Sequence, residues 1–380
     1  MNQDDFHRLI SGQKAGLGAG LLRLPLGVAA KGYSIVIRLR NFLYSKGWLK
    51  THRASAPVIS IGNITTGGTG KTPLVIWLCK QLTEDLKLKT KNCKCAILTR
   101  GYKTRRASCV MRRAKNTRDT QYDIRDTIDE PAILIESCPE AKVIVNPDRV
   151  AGAAEAVSEF GAKTLVMDDG FQHRRLGRDL DIVTIDATRP FGYGRILPAG
   201  LLREPLASLK RANAVVITRC DQTTEAELTQ IEEKLQQVNP NMVIARSIHA
   251  AVCAKSTNDK EISLEELKNK KIFAFCGIGN PAAFLNTIKA LGPELAGSKV
   301  YNDHHHYTND CLADICRQAA HLKADLILTT QKDWTKITRL PPAKKDIPLA
   351  YLAIEIKFLA GQDKLTGLIK NALASKIPQE

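Results

Sequence analysis

The run SIGNITTGGTGKTPLVIWL, from Ser60 to Leu78, limits what this 380-residue chain can fold into more than any other stretch. Val58, Ile59 and Ile61 are strand formers, and PLVIWLCKQL has the apolar density of a helix, with Pro73 near its first turn. Between them lie Thr65, Thr66, Gly67, Gly68, Thr69 and Gly70, closed by Lys71 and Thr72. A strand that passes through such a loop into a helix aims bare backbone N–H groups and the positive end of the helix dipole at one point, which suits a phosphate. Lys71 is then placed to reach the β- and γ-phosphates of a nucleotide, and the Thr72 hydroxyl to hold Mg2+. Thr65 stands where the general phosphate-loop pattern has glycine.

A second piece belongs on a neighbouring strand. Leu165, Val166 and Met167 form an apolar run that ends in Asp168 and Asp169, and carboxylates at the end of a buried strand hold magnesium directly or through water. Strand-like runs then alternate with helical ones along the chain: CAILTR, KVIVN, TLVMDD, DIVTID, AVVITR, KIFAFCGI and ADLILTT. This alternation predicts a P-loop NTPase-like α/β fold, a parallel sheet flanked by helices on both faces. The charged run from Ala254 to Lys271 reads as a linker. It divides a nucleotide-binding unit over 51–253 from a second, smaller α/β unit over 272–380.

Residues 1–50 have a different character. No acid occurs between Asp5 and Glu84, while Arg8, Lys14, Arg23, Lys31, Arg38, Arg40, Lys46 and Lys50 are scattered among apolar residues. On a helix Tyr33, Val36, Ile37 and Tyr44 share one face and Ser34, Arg38, Asn41 and Ser45 the other, with Arg40 intruding on the apolar side. Such a basic amphipathic arm fits an anionic membrane surface, and equally a helix packed on the domain. Arg23, Lys31 and Arg38 interrupt every apolar stretch before it reaches the roughly 20 residues of a membrane span. The formal charge of +17 requires an anionic partner of some kind. Ten cysteines without any C-x-x-C pair read as reduced thiols of a cytosol-like compartment.

Three phosphate chemistries compete for such a loop. A nucleic-acid motor is expected to show stacking aromatics among its basic residues, and aromatics make up only 5% of the chain, so no nucleic-acid partner is expected. A GTPase is expected to carry a guanine-reading motif. TRCD at Thr218 to Asp221 is a degenerate match and TQKD at Thr330 to Asp333 has the wrong spacing, which leaves the base open. A kinase needs positive charge for its acceptor, a base and exclusion of water. HRRLGRD, with His173 to Arg175 and Arg178, offers charge, as does GRILPAGLLREP, with Arg195, Arg203 and Glu204. DEP at Asp129 to Pro131 and NDHHHYT at Asn302 to Thr308 offer the titratable groups. Consecutive imidazoles diverge, so the His triplet is a poor cage for one metal ion.

In order along about residues 60 to 310 the chain carries GNITTGGTGKTP, LTRGY, DEP, DDGFQHRRLGRDLDIV, LPAGLLREP, FCGIGNPAAF and DHHHYT. Together these closely resemble the tetraacyldisaccharide 4′-kinase family. The resemblance implies a P-loop kinase of lipid A biosynthesis that moves the γ-phosphoryl of ATP, with Mg2+, to the 4′-hydroxyl of a tetraacyldisaccharide 1-phosphate, forming lipid IVA. It also implies a peripheral protein at the cytoplasmic face of the bacterial inner membrane, where that glycolipid lies. By motif position, Lys71 and Thr72 are implied as phosphate and magnesium contacts and Asp168 and Asp169 as the acidic pair. His173 and Arg203 are implied as groups of the nucleotide and phosphate pocket, and Asp129 with His304 as the catalytic pair. Asp129 would lie on the larger unit and His304 on the smaller, so that closure assembles the site. Three positions depart from the usual pattern: Ile128 for Gly, Asn302 for Pro and Gln331 for Glu.

Overall fold

The computed structural model describes residues 3–85, 95–101, 109–111, 130–256, 260–340, 347–374 and 376. The strand expected before the glycine-rich loop is β1 (Val58–Asn63), and the helix after it is α3 (Lys71–Lys80). β1 lies between β5 (Thr164–Asp168) and β6 (Leu180–Asp186) and is parallel to both. Beyond β5 come β2 (Cys95–Thr99) and β4 (Lys142–Val145), with β3 (Cys109–Met111) antiparallel at the edge. Beyond β6 come β7 (Ala214–Thr218) and β8 (Val243–Ser256), again parallel.

β8 then pairs antiparallel with β13 (Leu349–Ala360), and the sheet continues through parallel β12 (Leu326–Thr330), β10 (Lys271–Cys276) and β11 (Glu294–Val300). With the short β9 (Glu261–Ile262) beside β8, the described residues form one sheet of thirteen strands. The expected α/β fold is therefore present as a mostly parallel mixed sheet. The segment expected as a linker, 254–271, holds the end of β8, β9 and α7 (Leu264–Lys268).

The apolar runs explain the layering. β1, β2, β5, β6 and β7 are buried along their whole length, as strands covered on both faces must be. On one face Ile59, Ile61, Ile97 and Val166 pack against Leu74 and Leu78 of α3 and against Leu365, Ile369 and Leu373 of α11 (Gln362–Ala374). The end of the chain thus returns to the core around β1. On the other face Val183, Ile185, Val215 and Ile217 meet Leu228, Ile231 and Leu235 of α6 (Glu225–Val238).

The arm folds as α1 (Gln3–Ser11) and α2 (Leu17–Ser45). Most of the face that groups Tyr33, Val36, Ile37 and Tyr44 turns inward, and Arg40 with it. Ile37 is buried and Tyr33, Arg40, Asn41 and Tyr44 are half-buried, whereas Val36 and Arg38 are exposed. Leu21, Leu24, Val28, Ile35, Leu39 and Phe42 also point away from the protein. The polar inward groups have a purpose: fully buried Glu204 accepts hydrogen bonds from Arg40 (3.0 Å) and Asn41 (3.0 Å) and pairs with Arg211 at 2.8 Å. The span expectation is corrected as well. α2 is one continuous helix of 29 residues, long and apolar enough by length and composition to cross a membrane. Cations that interrupt the linear sequence do not interrupt a helix. Arg23 turns back to donate to the carbonyl of Leu9 at 2.8 Å, and Lys31 and Arg38 leave the apolar residues around them contiguous.

Candidate active site

Three strand ends hold the glycine-rich loop. The Thr69 hydroxyl is buried between the Asn63 amide (3.0 Å) and the Thr184 hydroxyl (2.7 Å), and the Thr69 carbonyl accepts from the Thr218 hydroxyl at 3.0 Å. Thr66 N–H donates to the carbonyl of Leu201 at 2.8 Å, and Arg203 N–H to that of Ile64 at 2.7 Å. Gly70 takes φ 84° as the N-cap of α3, a left-handed conformation that favours glycine. A Cβ there would also stand 2.4 Å from Nε2 of His249 on β8. The N–H groups of Gly70, Lys71 and Thr72 stand at the start of α3, where no earlier helical carbonyl can receive them.

The acids at the end of β5 are held differently from one another. Asp168 is buried, with Oδ2 accepting from the Thr99 hydroxyl at 3.4 Å and Oδ1 lacking any protein partner. Burial, with Glu130 and Asp169 nearby, pushes its carboxyl up to about 7. Asp169 adopts φ 51° and receives two hydrogen bonds from Arg203, at 3.0 and 2.9 Å, with the Lys71 ammonium 3.4 Å away. Burial opposes its ionisation, but Lys71 and Arg203 outweigh that and hold the carboxyl at about 2. Behind the pair, buried Arg149 donates to the carbonyls of Asn146 (2.6 Å) and Asp168 (3.4 Å), and burial lowers its guanidinium to about 10.

The opposite wall comes from the later part of the chain. A Cβ on Gly279 would lie 2.7 Å from the backbone nitrogen of Gly68, so the two loops touch backbone to backbone. Asn280 caps α8 (Pro281–Leu291) and donates to Asp186 at 2.9 Å and to Thr188 at 3.0 Å, tying this wall to β6. Asp186 in turn forms an ion pair with buried Arg219. His304, at φ 59°, follows Asp303 into the cleft. The three imidazoles do diverge. His305 stacks on Tyr301 at 4.3 Å and meets Tyr307 edge-on at 4.9 Å, while His306 is exposed.

The cleft between the walls has a volume of about 450 Å³ and brings together Lys71, Asp169, Arg203, Glu130, His304 and Lys332. Asp168, Thr72, Thr69, Gly70, Gly67 and Gly68 border it too. Thr65 and Thr66 line a smaller cavity of about 240 Å³ beside Phe6 and His7 of α1, and the loop is the partition between the two. His173 borders neither cavity. It sits in the turn after β5, its Nδ1 buried without a hydrogen-bond partner, and burial together with Arg149 lowers its pKa. Asp129 lies outside the described residues. Its neighbour Glu130 opens α4 (Glu130–Ser137), with Oε1 3.6 Å from Lys332 Nζ.

Several cleft residues escaped the sequence reading. Arg100, Glu130, Asn280 and Lys332 lay inside quoted strings but were assigned no role. Arg149, His249 and Arg219 carry no local signal of a site, because each reaches the cleft through the packing of strands far apart in sequence.

A family model described as tetraacyldisaccharide-1-P 4′-kinase matches residues 22–374. The tetraacyldisaccharide 4′-kinase of Halothermothrix orenii is 36% identical over 344 residues, covering 87% of this chain and 88% of its own. That of Anaeromyxobacter sp. (strain Fw109-5) is also 36% identical, over 369 residues, covering 97% of this chain and 96% of its own. Among solved structures, the "apo" form of LpxK from Aquifex aeolicus in complex with ATP superimposes with a TM-score of 0.68 at 28% identity, covering 93% of this chain and 99% of that one. With the strand–loop–helix unit, the paired aspartates and the histidine loop all facing one cleft, the chain belongs to the tetraacyldisaccharide 4′-kinase family.

Proposed function

We propose that this kinase transfers the γ-phosphoryl of ATP to the 4′-hydroxyl of a tetraacyldisaccharide 1-phosphate, forming lipid IVA in lipid A biosynthesis. One observation carries the reading: Lys71 and Arg203 converge on Asp169 at the start of α3, and His304 faces them across the same cleft. Charge on the transferring phosphoryl spreads over its equatorial oxygens, so stationary cations are the main source of rate. Lys71 and Arg203 supply them, and Asp169 keeps both in place until the nucleotide enters.

The acidic pair suits Mg2+. Oδ1 of Asp168 is buried and unpartnered, Asp169 and Thr72 border the same cleft, and a dication would relieve the repulsion of two adjacent carboxyls. When bound, Mg2+ would neutralise charge on the nucleotide phosphates. A sugar hydroxyl is too weak an acid to ionise at neutral pH, so its proton must leave as the phosphoryl arrives. Asp129 paired with His304 is the proposed acceptor of that proton.

The glycolipid is insoluble, which gives α2 its role. Its outward Leu21, Leu24, Val28, Ile35, Leu39 and Phe42 would enter a lipid layer, while Lys31, Arg38 and Lys46 would meet anionic headgroups at the cytoplasmic face of the inner membrane. The larger 51–253 and smaller 272–380 units would then close over the substrates.

Incubation with labelled ATP and detergent-dispersed tetraacyldisaccharide 1-phosphate should give labelled bisphosphate. Label released only as free phosphate, and stimulated by nucleic acid, would refute the reading. Asp129→Ala should lower turnover by about 10²-fold and leave ATP binding nearly unchanged, as removal of a general base does.

A further inference from the structure

TQKD, discounted above as a guanine reader, has no part in the function so far. We infer that its lysine, Lys332, is a positioning residue for His304 that sets the tautomer of the imidazole and holds the ring in the cleft. The inference rests on His304 acting in proton transfer.

The mounting is rigid. α10 (Gln331–Ile337) starts directly from β12, and Thr330 caps it by accepting from Asp333 N–H at 3.1 Å. Asp333 is fully buried; its Oδ2 accepts from the Thr330 hydroxyl (2.8 Å) and from Gly277 N–H (2.9 Å), and Lys336 Nζ stands 3.5 Å from Oδ1. One carboxylate thus fixes both the start of α10 and the loop that touches the glycine-rich turn.

From this base the Lys332 ammonium projects into the cleft. It lies 3.4 Å from His304 Nε2, 3.4 Å from Asp303 Oδ1 and 3.6 Å from Glu130 Oε1. An ammonium donates and cannot accept, so the contact makes Nε2 the acceptor and leaves the proton on Nδ1. The left-handed backbone at His304 is held by Asp303 Oδ1, which accepts from His304 N–H at 3.0 Å, and His305 is anchored by Tyr301 and Tyr307. Lys332 therefore acts on an imidazole whose backbone is already placed.

Among the described residues, the charges facing His304 are Asp303 from its own loop, Lys332 from α10 and Glu130 from α4, with Lys71, Asp169 and Arg203 bordering the cleft opposite. Lys332 contacts both acids, which hold its ammonium beside Nε2. It also joins Glu130, at the start of α4, to the histidine loop.

The test compares Lys332→Met, Lys332→Arg, His304→Ala and the double variant Lys332→Met/His304→Ala. Each is assayed as the full chain in detergent with MgATP and the tetraacyldisaccharide 1-phosphate from pH 5.5 to 9. Without the ammonium the ring loses the donor that fixes its tautomer. Lys332→Met should therefore cut kcat about tenfold or more at neutral pH, with KM for ATP nearly unchanged. Lys332→Arg, which still donates, should restore most of the kcat. In the His304→Ala background Lys332→Met should cost nothing further. Parent-like kcat in Lys332→Met, or full additivity in the double variant, overturns the inference while leaving His304 in place. Parent-like turnover by His304→Ala overturns the underlying reading instead.

Discussion

The two walls of the cleft do similar work by different construction. The wall with Lys71, Asp169 and Arg203 is made where parallel strands end, and its two cations share one carboxylate. The wall with His304 and Lys332 is made from a loop and the start of α10, and its geometry depends on a backbone contact between Gly279 and Gly68, an aromatic box around His305 and one buried carboxylate, Asp333. In the proposed reaction the first wall would grip phosphate through local chain geometry and the second would add acid–base function through tertiary contacts, so the two should fail in different ways.

Lys71→Ala removes the central cation of the first wall and should lower phosphotransfer by at least about 10³-fold, with little change in thermal unfolding; a milder loss measured by kcat would shift the catalytic weight to the histidine wall. Glu204→Gln leaves Arg40 and Arg211 facing a neutral group where a buried carboxylate stood. It should cost about 3 kcal/mol of stability, read by denaturant unfolding, and loosen α2 from the body. If stability held, the arm would be docked by its apolar contacts alone. Gly279→Ala places a methyl against the Gly68 nitrogen and should raise KM for ATP about tenfold without lowering the melting temperature much. A melting temperature that falls in step with affinity would show the loop contact to be a fold requirement rather than a site requirement.

The smallest effect concerns His249, packed behind Gly70. Burial, then Arg219, holds its imidazole well below the ordinary 6.5. The unfolded chain binds a proton there below about pH 6.5 and the native state does not, so stability falls as pH drops through that range. His249→Gln should flatten that acid slope by under about 1 kcal/mol per pH unit, measured by urea unfolding at pH 5 and 7. An unchanged slope would assign the acid sensitivity to other groups.

Legibility in the sequence follows the same division. GGTGKT and LVMDD encode the first wall because each loop follows its strand directly, and local chain geometry alone puts their residues at one sheet edge. Arg149 belongs to that wall but left no trace, since it acts from behind Asp168 through the pairing of β5 with β2. On the second wall DHHHYT was recognisable as a string and the resemblance singled out His304, whereas the residues alone did not say which imidazole enters the cleft. Tyr301 and Tyr307 decide that by capturing His305. TQKD was compared with a guanine template and set aside, although its lysine lies beside His304. Helical periodicity grouped Tyr33, Ile37 and Tyr44, which do turn inward, but it ranks hydrophobicity and cannot anticipate a buried Glu204 that takes Arg40 and Asn41.

Where α2 meets the body, Tyr33 donates its hydroxyl hydrogen to the Arg203 carbonyl at 3.1 Å, and Glu204 next in sequence takes Arg40 and Asn41. The residue that steadies Asp169 is thus one peptide bond from the arm's anchorage. The level at which that helix floats in lipid would set the height of the cleft mouth above the headgroups, and so which sugar hydroxyl arrives opposite the nucleotide. A version of the enzyme lacking the arm would keep its hold on nucleotide and lose its ruler for the acceptor.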